Sequence, residues 1–216
     1  DGQGDEKLPE MTKALFLDVD GTLISFETHE VPASALDALR RAHARGVRLF
    51  IATGRAAADL EPLQEIPYDG VVALKVVRLA EMVAHPVPRE VDLRALFDRG
   101  DCCQMCFYFD PELEKRVMAE LPSLVASRWC PIFADINVRG VDKATGMAEF
   151  AAHFGFAHDE TMAFGDGGND AALLRAAGVG VAMGNACGEA LNAADYVTAS
   201  VDDDGIRKAL EKFGVI

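Results

Sequence analysis

Leu17-Asp18-Val19-Asp20-Gly21-Thr22 sets two carboxylates one residue apart, directly after the apolar run Ala14-Leu15-Phe16-Leu17 and directly before a turn. An unbroken apolar run of this kind predicts a strand buried on both faces, as in a parallel sheet covered by helices. The carboxylates then emerge at the strand's carboxyl end, the edge where open α/β sheets bind ligands. Two neighbouring carboxylates withdrawn from water repel each other unless a cation lies between them, and an all-oxygen donor set favours a hard divalent ion. The arrangement suits metal-assisted phosphoryl transfer. Read by itself, the same stretch also fits a plain strand end closed by an Asp-Gly turn, so other residues have to support the chemistry.

Downstream, Pro32 to Arg45 reads as a helix, with Leu36 and Leu39 on one face and Gly46 as its stop. Val47 to Ala52 predicts a second apolar strand ending in Thr53-Gly54-Arg55, Ala56 to Glu65 a short helix, and Tyr68-Asp69-Gly70 a turn into the strand Val71 to Leu74. Strands alternating with helices imply a parallel sheet. Between residues 71 and 139 the texture changes to Pro-interrupted pieces, a Cys-rich strand from Cys102 to Phe109, a helix from Pro111 to Ala119 and an aromatic strand from Arg128 to Ile136. From Asp142 the α/β rhythm returns: a helix to Phe154 closed by Gly155, a strand Thr161 to Phe164, the loop Gly165 to Asp170, a helix Ala171 to Ala177, a strand Val179 to Ala182, another helix, the strand Tyr196-Val197 and a last helix after Gly205. The expected organisation is a tag or disordered leader at 1–10, a discontinuous core made of 11–70 and 140–216, and an inserted α+β unit at 71–139.

With 216 residues and 50% hydrophobic content, the chain can bury a substantial interior. A formal net charge of -14 argues against a nucleic-acid or anionic-membrane surface, which needs excess Lys and Arg. Any phosphate it recognises should be bound locally. No apolar run approaches the roughly 18 residues needed to span a bilayer, and a cytoplasmic address is expected. The five cysteines are an odd number, which speaks against a disulfide framework. Cys103 and Cys106 have C-x-x-C spacing, but without a second Cys or His pair the expectation is small buried thiols in a sheet.

Four sites now fall at strand ends or a helix start: Asp18 with Asp20, Thr53-Gly54-Arg55, Lys143, and Asp166 with Asn169-Asp170. Above one parallel sheet they can converge to supply metal ligands, donors to phosphate oxygens and a counter-charge. In this combination the chain resembles the haloacid dehalogenase-like superfamily of phosphohydrolases, and its Cof-type sugar-phosphatase branch in particular. The matching residues are Asp18-Val19-Asp20-Gly21-Thr22, Ile51-Ala52-Thr53-Gly54-Arg55, Lys143 and Phe164-Gly165-Asp166-Gly167-Gly168-Asn169-Asp170, with Gly180 to Ala186 and Ala194 to Thr198 also typical of the branch.

The resemblance implies a Rossmann-like three-layer core with a type-two cap inserted between Thr53 and Lys143. The cap is shorter than is usual for the branch, and Lys75 stands where its Asn-Gly turn would place Asn; either the cap is reduced or a stretch near Lys75 is missing. The resemblance further implies a phosphatase of small phosphorylated metabolites, with sugar phosphates foremost. Asp18 would be the nucleophile that forms an aspartyl-phosphate, and Asp20 the general acid and base. One Mg2+ would be held by Asp18, Asp166 and Asp20, the last through its backbone carbonyl. Thr53, Gly54, Lys143 and Asn169 would bind phosphate, Asp170 would support the metal shell, and Arg55 could contact substrate or pair with an acidic neighbour. A phosphomutase and a non-catalytic phospho-Asp receiver-like switch are the alternatives, the latter disfavoured by the insertion and by the second Asp.

Overall fold

The computed structural model describes residues 12–55, 60–73, 104–130 and 133–216. Its first elements are β1 (Ala14–Leu17), α1 (Ala33–Ala44), β2 (Arg48–Thr53) and β3 (Gly70–Ala73). Then come β4 (Gln104–Phe107), α2 (Pro111–Glu120), β5 (Leu124–Cys130), β6 (Phe133–Val138) and α3 (Lys143–Phe154). The chain closes with β7 (Thr161–Gly165), α4 (Ala171–Ala176), β8 (Val179–Ala182), α5 (Gly188–Leu191), β9 (Tyr196–Val197) and α6 (Gly205–Lys212).

Among the described residues, six strands form one parallel sheet in the order β3-β2-β1-β7-β8-β9. The expected α/β sheet with helices is therefore present. β1 is fully buried and its side chains alternate between two cores, Leu15 and Leu17 facing one way and Ala14 and Phe16 the other. The first core is closed by Leu39 of α1 and by Ile206 and Leu210 of α6, the second by Met147 of α3 and Leu173 and Leu174 of α4. Phe16 stacks on Phe50 across the second core with centroids 4.9 Å apart. Covered on both faces, the sheet offers ligands only its edges and strand ends. The strand order reverses at β1, so the crevice between the carboxyl ends of β1 and β7 is the switch point where such sheets bind ligands.

A second, antiparallel sheet has the order β4-β6-β5. One of its faces packs Ala134 and Ile136 with Phe109, Met118 and Leu124, so α2 lies against that side. α2 starts where the Asp110 carboxylate accepts from the backbone N–H groups of Glu112 and Leu113 at 3.0 and 2.8 Å.

Two expectations need correction. The single aromatic strand from Arg128 to Ile136 is instead part of a hairpin, β5 paired antiparallel with β6. Pro131 lies between them and has no N–H to give to a ladder, so a continuous strand through it is disfavoured. The helix expected over Ala56 to Glu65 is, in its described part, only a 3-10 turn at Glu61–Leu63. Pro67 disfavours helical backbone at Ile66, which limits continuation. The rest of that helix, the leader, Cys102 and Cys103 lie outside the described residues, and Cys187 is exposed.

Candidate active site

β1 ends at Leu17, level with Ile51 of β2 and Phe164 of β7, so Asp18, Thr53 and Asp166 leave the sheet at one edge. Lys143 arrives from the first turn of α3. Asp142 caps α3 by accepting from the Thr145 N–H at 2.8 Å while its own N–H donates to Thr145 Oγ1 at 3.0 Å. This reciprocal box fixes the first turn and with it Lys143, which is only 8% exposed. Its Nζ donates to Asp18 Oδ1 and, at 2.5 Å, to Asp170 Oδ1.

Asp170 Oδ2 in turn accepts from the backbone N–H groups of Asp166 and Gly167 at 3.1 and 2.8 Å, holding the turn that carries Asp166. The Thr22 hydroxyl donates to Asp166 Oδ1 at 3.0 Å. Carboxylate oxygens of Asp18, Asp166 and Asp170 lie within 4.8 Å of one another, and all three residues are buried. Three acids share one buried lysine in this cluster. Burial, then the charge of Asp170, pushes Asp18 up to about 8 against the pull of Lys143. The same two causes raise Asp166 to about 6, opposed by the Thr22 hydroxyl. Burial alone would lower Lys143, but the carboxylates of Asp170 and Asp18 outweigh it and hold the ammonium charged. A group of oxygen donors short of positive charge is a fit for a hard divalent cation.

The remaining expected residues stand around this cluster. Asp20 is not part of it: its side chain is 47% exposed, and Arg55 donates to both of its oxygens, Nε to Oδ2 at 3.0 Å and a terminal nitrogen to Oδ1 at 2.5 Å. Thr53 is buried at the end of β2, where its hydroxyl accepts from the Arg55 N–H at 3.0 Å, and Gly54 beside it is exposed. Asn169 is half-buried, its Oδ1 folded back over Gly167. Asp170, expected beside the metal shell, stands within the donor group itself.

Sequence reasoning missed two supports. Thr22 was quoted as part of the motif without a task, and Asn185 without one as well. Asn185 Nδ2 donates to the Gly21 carbonyl at 2.8 Å while its Oδ1 accepts from the Val201 N–H at 2.9 Å, tying the turn after β1 to the loop after β9. No local pattern in the sequence signals such ties.

A sequence model described as haloacid dehalogenase-like hydrolase matches residues 15–75 and 73–210. The chain belongs to the haloacid dehalogenase-like family. The two matched stretches overlap at residues 73–75. A solved phosphatase of this superfamily from Bacteroides thetaiotaomicron superposes with a TM-score of 0.89 at 44% identity, over 95% of this chain and 96% of that one. A solved HAD subclass IIB sugar phosphatase gives 0.84 at 35% identity, over 95% and 100%. YkrA of Bacillus subtilis (strain 168) is 27% identical over 255 residues, spanning 95% of this chain and 99% of that protein. As a member of this family the chain is a phosphoric monoester hydrolase. Among the described residues, no helix is long and apolar enough to cross a membrane.

Proposed function

We propose that the chain hydrolyses small phosphorylated metabolites, sugar phosphates foremost, with Mg2+ and through an aspartyl-phosphate on Asp18. The observation that carries this reading is the buried group in which Lys143 bridges Asp18 and Asp170 beside Asp166. The sugar-phosphate class is supported by the 35% identical subclass IIB sugar phosphatase. We further divide the chain into a core of 11–70 and 140–216 and a cap of 71–139; the packing of β5 against the Gly168–Asp170 turn supports a cap that reaches the site.

Asp18 and Asp166, with the backbone carbonyl of Asp20, would hold one Mg2+, and Asp170 would brace them. When bound, the ion supplies charge that keeps the carboxylates ionised and neutralises the phosphoryl oxygens. An Asp18 oxygen attacks phosphorus as the bond to the ester oxygen breaks. Lys143 offers its charge to the phosphoryl group, and the Thr53 hydroxyl, the Gly54 amide and Asn169 offer hydrogen bonds to its oxygens. Asp20 gives a proton to the departing alkoxide, then takes one from the water that cleaves the acyl phosphate and restores Asp18. Arg55, paired with Asp20, aims that carboxyl group.

The test is phosphate release from a panel of sugar phosphates and an aryl phosphate, with and without Mg2+, for the protein and its Asp18→Asn variant. Turnover that requires Mg2+ and vanishes in the variant is expected. A stable phosphoryl group on Asp18 with no release would replace this reading with the mutase or receiver one.

A further inference from the structure

We infer that Phe26 is a specificity-determining residue of this site, forming an apolar wall for ring-shaped leaving groups; the inference rests on the phosphatase reading above. Phe26 is 59% exposed although the residues just before it, Ile24 and Ser25, are buried. Burying a phenyl side chain is favourable, so an exposed ring gives up that gain.

It is held by its loop. Ser25 N–H donates to the Glu30 carbonyl at 3.1 Å and His29 N–H to the Ser25 carbonyl at 3.0 Å. The Ser25 hydroxyl accepts from the N–H groups of Glu27 and Thr28 at 3.0 and 3.2 Å, and His29 takes a left-handed backbone, φ 58°, to close the turn. These bonds fix the backbone on both sides of Phe26 and so the point from which its ring projects.

The ring sits beside the reacting groups. A Cβ placed on Gly21 would lie 2.5 Å from Phe26 Cε2 and 2.3 Å from Asp166 Oδ2. The ring edge and the carboxylate therefore flank the same small gap, directly after Asp20. In the mechanism proposed above the leaving alcohol departs beside Asp20, the residue directly before the Gly21 turn that the Phe26 ring adjoins. A pyranose ring has an apolar C–H face that packs on a phenyl ring; a short open-chain alcohol has too little surface to do so.

The experiment compares kcat/KM for a hexose 6-phosphate with kcat/KM for glycerol 3-phosphate, in Mg2+, for the protein and its Phe26→Ala and Phe26→Tyr variants. In Phe26→Ala the ratio of the two values falls roughly 3- to 10-fold, the size of one aromatic contact, mainly through KM for the hexose ester. Phe26→Tyr retains the ratio. An unchanged ratio, with both esters slowed equally or not at all, overturns the inference while leaving the phosphatase reading intact. Absence of phosphate release by the unaltered protein from both esters and from the sugar- and aryl-phosphate panel overturns the phosphatase reading, and this inference with it. Thermal melting of each variant confirms that it is folded.

Discussion

Arg55, just after β2, grips Asp20, just after the neighbouring β1, at two points, Nε on one carboxylate oxygen at 3.0 Å and a terminal nitrogen on the other at 2.5 Å. A forked grip fixes the plane of a carboxyl group, which a single contact does not. In the proposed mechanism that plane determines whether Asp20 faces the leaving oxygen. Arg55→Ala is therefore expected to lower kcat/KM about 10- to 100-fold for alkyl phosphates, whose alkoxides need a proton. An aryl phosphate with a good leaving group needs little help and should lose much less. Arg55→Lys should resemble the alanine variant, because an ammonium cannot reproduce the fork. Equal losses for both ester classes would show that Arg55 serves binding alone.

Proton linkage at the acidic cluster gives a second prediction. Without metal, Asp18 is raised to about 8 and Asp166 to about 6. The unfolded chain has lost these protons by about pH 5, so above that pH the folded state binds more protons than the unfolded one. Stability from this source is fully present below the unfolded values and is lost as pH rises through about 6 and 8. The Tm of chelator-treated protein should fall from pH 5 to pH 8, other groups aside. Added Mg2+ should raise Tm more at pH 8 than at pH 5, since the ion competes with protons for the same oxygens. Asp18→Asn should flatten the metal-free slope. A metal-free Tm that climbs across this range in parallel for protein and variant would contradict the raised Asp18.

Lys143 is the cluster's internal cation, and its loss should be felt in folding as well as turnover. Removing one partner of a buried ion pair leaves the other uncompensated, at a cost of about 3–5 kcal/mol. Lys143→Met is expected to lower the urea midpoint accordingly and to abolish measurable phosphate release. Because the variant's acids have no other buried cation among the described residues, Mg2+ should recover a larger share of its stability than it adds to the unaltered protein. A variant as stable as the parent would mean that the acids are already neutralised in solution.

What the sequence made legible follows from how local each signal was. The continuous apolar run Ala14 to Leu17 predicts a strand buried on both faces, which it is, and Val179 to Ala182 forms the strand expected there. Lys143 was legible from its place at a helix start and Asp166 from its place after the strand Thr161 to Phe164, both in step with the family's motifs. The β5–β6 pair was not legible as two strands, since the aromatic run reads on through Pro131 in the sequence. Asn185 and Phe26 were invisible for a different reason. Their positions against Gly21 depend on contacts across 164 residues in one case and on a loop closed by its own backbone in the other. No periodicity in the chain encodes either.

Gly21 joins these threads and gives the last prediction. Its backbone is left-handed, φ 80°, which costs an L-residue roughly 1–2 kcal/mol. Space adds to the demand: a methyl group there would lie 2.3 Å from Asp166 Oδ2 and 2.5 Å from the Phe26 ring. Asp166 is held by the Thr22 hydroxyl, so relieving the clash means moving that carboxylate as well as turning the exposed Phe26 ring aside. Its carbonyl is also fixed by Asn185, so the turn cannot pivot to make room. Gly21→Ala should therefore displace Asp166, lowering Tm by several degrees and weakening the Mg2+-induced rise in Tm together with phosphate release. Gly188→Ala serves as the comparison, since a methyl group there meets nothing within 4 Å, and its Tm and Mg2+ response should stay near those of the parent. Gly21→Ala protein that melts like Gly188→Ala and responds equally to Mg2+ would show that the turn adapts, and that the crowding around Asp166 does not constrain the site.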